Sequence, residues 1–209
     1  MRIGIIQASS QADKNGMIFR AVQKAAADSE VINFGCTPES SGRYSYIEIS
    51  LLAGMLLAAE AVDFIVTGCS SGQGMMLACN SIPGVLCGYI PTPMDAYLFA
   101  QINNGNAVSL PLGEGYTWAG TGNLEKTIEK LFSEPFGQGY PKEEASRKLK
   151  DTALLKEMRA KSQTDIIPFL NSLDHELRRK LMSKHDVTAY ILENGRNHLI
   201  ADWVRQQDE

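Results

Sequence analysis

The stretch VDFIVTGCSSGQGMMLACN, residues 62–80, decides the fold. Its first seven residues, Val62 to Gly68, form a short apolar run, the pattern of a strand covered on both faces. A turn of small residues, Cys69 to Gly74, follows, and MMLACNS then reads as a helix. In open α/β sheets ligands bind where a central parallel strand ends and a helix begins. Gly68, Gly72 and Gly74 carry no side chain, so backbone N–H groups there can approach a ligand closely. The following helix adds its positive end. Such a turn can hold a phosphate or the developing oxyanion of an enediolate. Cys69 begins it, and a thiol near a helix N-terminus tends toward a reactive thiolate. Cysteine is also among the most buried residue types, so position alone leaves chemistry and packing both open.

Outward from that unit, strands and helices alternate. Strands are expected at 2–8, 31–35, 85–90 and 107–110, and helices at about 15–28, 46–61, 93–101 and 121–133. This alternation predicts a parallel sheet covered on both sides, with five strands counting 62–68. The helix over 46–61 is apolar all round (ISLLAGMLLAAEA), which predicts burial against the sheet on one side and against a partner subunit on the other. After Phe136 the texture changes. GQGYPKEE is turn-like, and helices are expected near 143–160, 164–171, 173–182 and 194–206. The chain therefore divides into an α/β domain, 1–136, and a helical C-terminal extension, 137–209, that packs on the core or on a second subunit.

Composition narrows the function. Of 209 residues 44% are hydrophobic, and the net charge is -4, from 20 basic and 24 acidic residues. No basic tract supports a nucleic-acid groove. No apolar stretch reaches membrane-span length, and Asp13 and Lys14 follow the first apolar run, which reads as a strand and not a signal peptide. A cytoplasmic location with reduced thiols is expected for Cys36, Cys69, Cys79 and Cys87, which show no CxxC spacing. His175, His185 and His198 match no zinc pattern. The turn is neither GxGxxG nor a Walker motif, which argues against a dinucleotide fold and a P-loop ATPase.

The turn and its surroundings resemble the family of ribose-5-phosphate isomerase B and the galactose-6-phosphate isomerase subunits. The family pattern CGTGxG, AxN, PG reads here Cys69-Ser-Ser-Gly-Gln-Gly74, Ala78-Cys-Asn80 and Pro83-Gly84. The family HNDAN stretch appears as Ile102-Asn-Asn-Gly-Asn106, and a family tyrosine corresponds to Tyr44. The resemblance spans roughly residues 1–136. It implies a Rossmann-like three-layer α-β-α sandwich. It implies a homodimer or dimer of dimers with a shared active site, and no metal or organic cofactor. It also implies an aldose–ketose isomerase acting on a pentose or hexose phosphate through a cis-enediolate. In that picture Cys69 is the base, Ser71 assists at the substrate oxygens, and the backbone of Gly72 and Gly74 stabilises the enediolate. Tyr44 and Asn103 bind substrate in it, and the turn itself offers the Ser70 hydroxyl, where the family has glycine, to bind substrate or relay a proton.

Three family features are changed. The Asp-His pair after the first strand meets Gln7-Ala-Ser-Ser10, leaving Ser10, Asp13 and Asn15 as polar candidates. The histidine linked to ring opening is replaced by Ile102. The phosphate-binding arginines meet Gly139 and Tyr140, with Lys142, Arg147, Lys148 and Arg43 nearby in sequence as candidate ligands. These changes point to an open-chain substrate, a different sugar phosphate, or another acidic hydroxy-carbonyl compound. A non-catalytic sugar-phosphate-binding protein and an epimerase are the alternative readings.

Overall fold

The computed structural model describes residues 1–40, 42–115 and 117–207. Five strands, β1 Arg2–Ile5, β2 Glu30–Asn33, β3 Phe64–Cys69, β4 Cys87–Tyr89 and β5 Ala107–Pro111, form one sheet in the order β2-β1-β3-β5-β4. All four pairings are parallel. β3 sits at the centre and is buried along its whole length.

Two apolar layers flank the sheet. On one face lie α1 (Asn15–Ala25), α4 (Pro93–Leu98) and α5 (Thr121–Leu131), which pack Ile18, Val22, Ala96, Leu124 and Ile128 around Phe64, Val66 and Val108. On the other lie α2 (Tyr46–Ala58) and α3 (Gln73–Ser81), with Leu52, Met55, Leu56, Met75 and Cys79 against Ile65 and Cys69. Helix α2 starts where Ser45 and Glu48 build a capping box. Ser45 N–H donates to Glu48 Oε2 at 2.7 Å, and Ser45 Oγ accepts from Ile47 N–H.

The described residues after 142 are helical, as expected, but they hold five α-helices and not four. They are α6 Ala145–Ser162, α7 Ile166–Ser172, α8 His175–Met182, α9 His185–Asn194 and α10 His198–Gln207. The unanticipated α9 contains Val187, Thr188, Tyr190 and Ile191, residues of modest helix propensity, and burial of Val187 and Ile191 outweighs that bias. These helices correct one expectation. The second apolar side of α2 is covered by the chain's own α8 and α9, whose Leu181, Met182, Val187 and Ile191 join the α2 cluster. An all-round apolar helix needs cover on every side, and here the cover is intramolecular.

The outer flank of β4 has its own device. Asn80, at the end of α3, donates Nδ2–H to Cys87 O at 2.8 Å and accepts Cys87 N–H on Oδ1 at 3.1 Å. Its side-chain amide thus pairs with β4 as a neighbouring strand would. No helix among the described residues is long and apolar enough to cross a membrane.

Candidate active site

Cys69 is the last residue of β3, paired with Pro111 of β5, and retains 8% exposure at the carboxyl end of the sheet. Its carbonyl accepts Leu112 N–H at 3.0 Å, and the Ser70 carbonyl accepts Gly113 N–H at 2.8 Å. The turn is therefore anchored to the segment leaving β5. Gly72 caps α3 in the left-handed region with φ 75°. A Cβ there would lie 2.7 Å from Tyr89 Cε2 and 2.9 Å from the Leu110 carbonyl carbon. Its own carbonyl accepts from Ser109 Oγ at 2.6 Å and Met76 N–H at 3.1 Å. With the carbonyl side tied down, the first-turn N–H groups of α3 are left at the sheet edge with no helical acceptor. Ser70, Ser71 and Gly74 are half-buried around them, and Gln73 N–H donates to Ser71 Oγ at 3.3 Å.

Three side chains that the sequence did not single out surround this turn. Gln11, 8% exposed, donates from Nε2 to Ser70 Oγ at 2.9 Å. Tyr46 lies over Gly74, where a Cβ would meet its ring at 3.6 Å. Tyr89, at the end of β4, lies against Gly72. Burial raises its phenol above the ordinary value, a hydrogen bond with Gln73 opposes that, and the Asp95 and Cys69 charges add to the rise. No motif marks these residues in the sequence, because each arrives from a different strand end.

Tyr44, expected to bind substrate, is 6% exposed. Its hydroxyl contacts Ser183 Oγ at 3.1 Å, and Lys180 and Lys184 stand over its ring. Arg43 is exposed on the same loop. The polar candidates of the first loop are committed elsewhere. Asp13 and Glu114 pair with the buried Lys14, and Asn15 binds Gln7 and Asn33. Ser10 is exposed.

Asn103 lies at the opposite end of the sheet. It closes a π-helical turn, Phe99–Asn103, that leads into the start of β5. At roughly 3.3 Å per residue, β5 alone separates its two ends by about 13 Å. An open groove of about 400 Å³ runs along β4 and is lined by Asn103, Asn80, Asp95 and Tyr89. Helix α6 crosses the Asn103 end, with Thr152 Oγ1 donating to Ile102 O at 2.6 Å and Lys156 Nζ to Asn104 O at 2.8 Å. Arg147, on the same helix, is held by Glu144 at 2.6 Å and Asp151 at 3.0 Å. Lys142 is exposed and Lys148 half-exposed on this stretch. Gly139 N–H binds Gln101 O, and Tyr140 packs edge-on against Tyr97.

His175, His185 and His198 stand exposed at the first positions of α8, α9 and α10. The four cysteines are free and buried. Cys79 lies against Cys87, whose thiol is pushed well above the ordinary range by that hydrogen bond and then by burial. Among the described residues, no group of three or more His, Cys, Asp or Glu side chains is placed to hold a metal ion.

A parallel sheet with a thiol at the end of its central strand, beside a glycine-capped helix start, defines an open α/β protein with a ligand-binding edge at that strand end. Residues 3–149 match the ribose/galactose isomerase family, and the chain belongs to it. Two solved structures are similar over 99% of both chains at 37% identity. One is a 4-deoxy-L-threo-5-hexosulose-uronate ketol-isomerase complexed with a tartrate, with a TM-score of 0.93. The other is a ribose-5-phosphate isomerase from Vibrio parahaemolyticus, with a TM-score of 0.92. Both matches include the helical tail. A type B ribose 5-phosphate isomerase from Trypanosoma cruzi shares the fold at 21% identity and a TM-score of 0.64, covering 77% of this chain and 99% of its own. No curated protein sequence matches the chain.

Proposed function

We infer that this protein is an aldose–ketose isomerase working through a cis-enediolate, with the Cys69 thiolate as the base. One observation carries the reading: a partly accessible sulfur ends β3, and the turn that follows it leads into the first-turn N–H groups of α3, of which Gln73 N–H is taken by Ser71 Oγ and those of Gly74 and Met75 have no helical acceptor. Cys69 takes the proton from C2 of the open-chain aldose, and the electron pair moves onto the carbonyl oxygen at C1. The N–H groups about Gly72 and Gly74 hold that oxyanion. Ser71 relays the C2 hydroxyl proton to it, and the thiol returns a proton to C1, leaving a ketone at C2. None of these steps calls for a metal or an organic cofactor.

Asn103 precedes β5, whose length alone sets about 13 Å between it and the Cys69 end, and Arg147 lies on the helix that crosses the Asn103 end. Two copies arranged so that the Asn103 end of one meets the Cys69 end of the other would complete one site, which supports the homodimer with a shared site. Substrate orientation at the thiol end falls to Tyr46, because the Tyr44 hydroxyl is engaged by Ser183.

The substrate is an acidic sugar. A pentose or hexose phosphate is the reading the family favours. An open-chain hexosulose uronate is favoured by two residues. Ile102 offers no proton for opening a ring, and Arg147 is already neutralised by two carboxylates. The test is turnover of ribose 5-phosphate, galactose 6-phosphate and 4-deoxy-L-threo-5-hexosulose-uronate by wild type and Cys69→Ala, with products assigned by NMR. A ketose product lost in C69A is expected. Binding without turnover would make the chain a sugar-acid-binding protein, and an epimer product would make it an epimerase.

A further inference from the structure

We propose that Gln11 is a positioning residue that aims the Ser70 hydroxyl at the oxygen of the reacting carbon. The inference rests on the isomerase reading of Cys69 and deepens it.

Ser70 follows the proposed base directly, and its main chain is fixed on one side. Its carbonyl accepts Gly113 N–H at 2.8 Å and Thr117 Oγ1–H at 2.5 Å. Only the hydroxyl is left to be oriented. A serine hydroxyl has one proton and two lone pairs, and an amide Nε2 can only donate. The Gln11 bond of 2.9 Å therefore uses a lone pair of Ser70 and leaves its proton free. Gln11 is itself 8% exposed, in the turn Ser9–Lys14 that follows β1, with its N–H bound to Ala8 O. A buried amide reaching across from another strand end to one hydroxyl is costly to leave unpaired, so the orientation is enforced. The Ser71 hydroxyl, by contrast, accepts from Gln73 N–H within its own turn.

The consequence is a hydroxyl donor one residue on from the thiol, at the same strand end, whose direction does not titrate. It adds a side-chain hydrogen bond to the backbone donors that hold the enediolate oxygen. No proton needs to leave Ser70 for this.

The decisive variant is Gln11→Glu, close in shape but able only to accept when ionised. It would turn the Ser70 proton toward itself. Expressed as a ratio to wild type at each pH, kcat should fall about tenfold above the pKa of the introduced carboxyl. It should recover as the pH drops and that carboxyl, once protonated, can donate again. Gln11→Leu should lose activity at every pH, and in a Ser70→Ala background neither change should cost more. Thermal unfolding of each variant separates these effects from lost folding. A flat ratio near one for Q11E would overturn the proposal, since it means that Ser70 donates to Gln11 or that the contact merely fills space. So would undiminished losses in the S70A background. If C69A exchanges the substrate C2 hydrogen with solvent as fast as wild type, the isomerase reading itself falls. If C69A is silent while Q11E is normal, only the role of Gln11 falls.

Discussion

At the carboxyl ends of β1, β3 and β5 the chain presents a thiol, small residues and backbone donors, each anchored by bonds within the chain. At the amino ends it presents side-chain amides and charges: Asn103, the carboxylate-bound Arg147, and Asp63 between Arg2 and Arg196. The first end is preorganised for a reaction, because its donors come from backbone that cannot swing away. The second end depends on long side chains and on what lies opposite. In the proposed two-copy site one chain would supply the reaction half, finished within the chain, and its partner the unfinished binding half.

The largest expected effect lies at the finished half. Cys69→Ala should lower kcat by about 10³-fold, within the range for removing a general base, with little change in melting temperature. Solvent deuterium exchange at C2 reads this directly. Gly72→Ala should follow closely. It forces a side chain into a left-handed residue with no room for a Cβ, at about 1–3 kcal/mol of stability, and tilts the N–H groups away from the oxyanion. Stability in urea titration and kcat should therefore fall together.

The unfinished half should respond more weakly. Asn103→Ala should reduce kcat/KM by about tenfold, the worth of roughly one hydrogen bond. Mixing inactive C69A with N103A, after dissociation and reassociation, should restore activity above either alone if the two ends meet between copies. No recovery would break the shared-site picture. Arg147→Ala should raise KM for a phosphorylated sugar by about threefold or less, because its charge is spent on exposed neighbours. A rise of about tenfold or more would return the phosphate grip to α6.

The smallest effect is Asp63→Asn. Burial raises this carboxyl, but the Arg2 N–H and the Arg196 guanidinium outweigh it and leave the group below its ordinary value. A depressed folded value stabilises above the unfolded pKa, about 3.9, and that stability is lost as pH falls through the folded value. D63N should cost at most about 1 kcal/mol at pH 7, since the pair is partly exposed, and nothing at strongly acid pH. Urea titrations at the two pH values measure the difference.

The contrast between the ends also explains what the sequence could reveal. The apolar run of β3 and the glycine turn are local signals, and they located the strand and the helix, with Cys69 closing the strand where it was expected to open the turn. The five parallel strands followed from alternation. Gln11, Tyr46 and Tyr89 were invisible because each reaches the turn from a separate strand end, and only the sheet order brings them together. Tyr44 matched a family position, yet its hydroxyl meets Ser183 at the end of α8, a pairing across 139 residues that no local pattern announces. The apolar α2 was read as half of an interface because a sequence shows that cover is needed but not whose cover it is.

Asn80 has a consequence beyond the site. An open parallel sheet is finite only if something refuses the next strand, and unpaired edge groups invite cross-chain stacking. With both main-chain groups of Cys87 already claimed by one amide, an intruding strand finds no bonding partner at that point of β4. One side chain at the end of α3 thus closes that point of the sheet edge to a further strand. Replacing it with alanine would favour sideways polymer growth over loss of the fold.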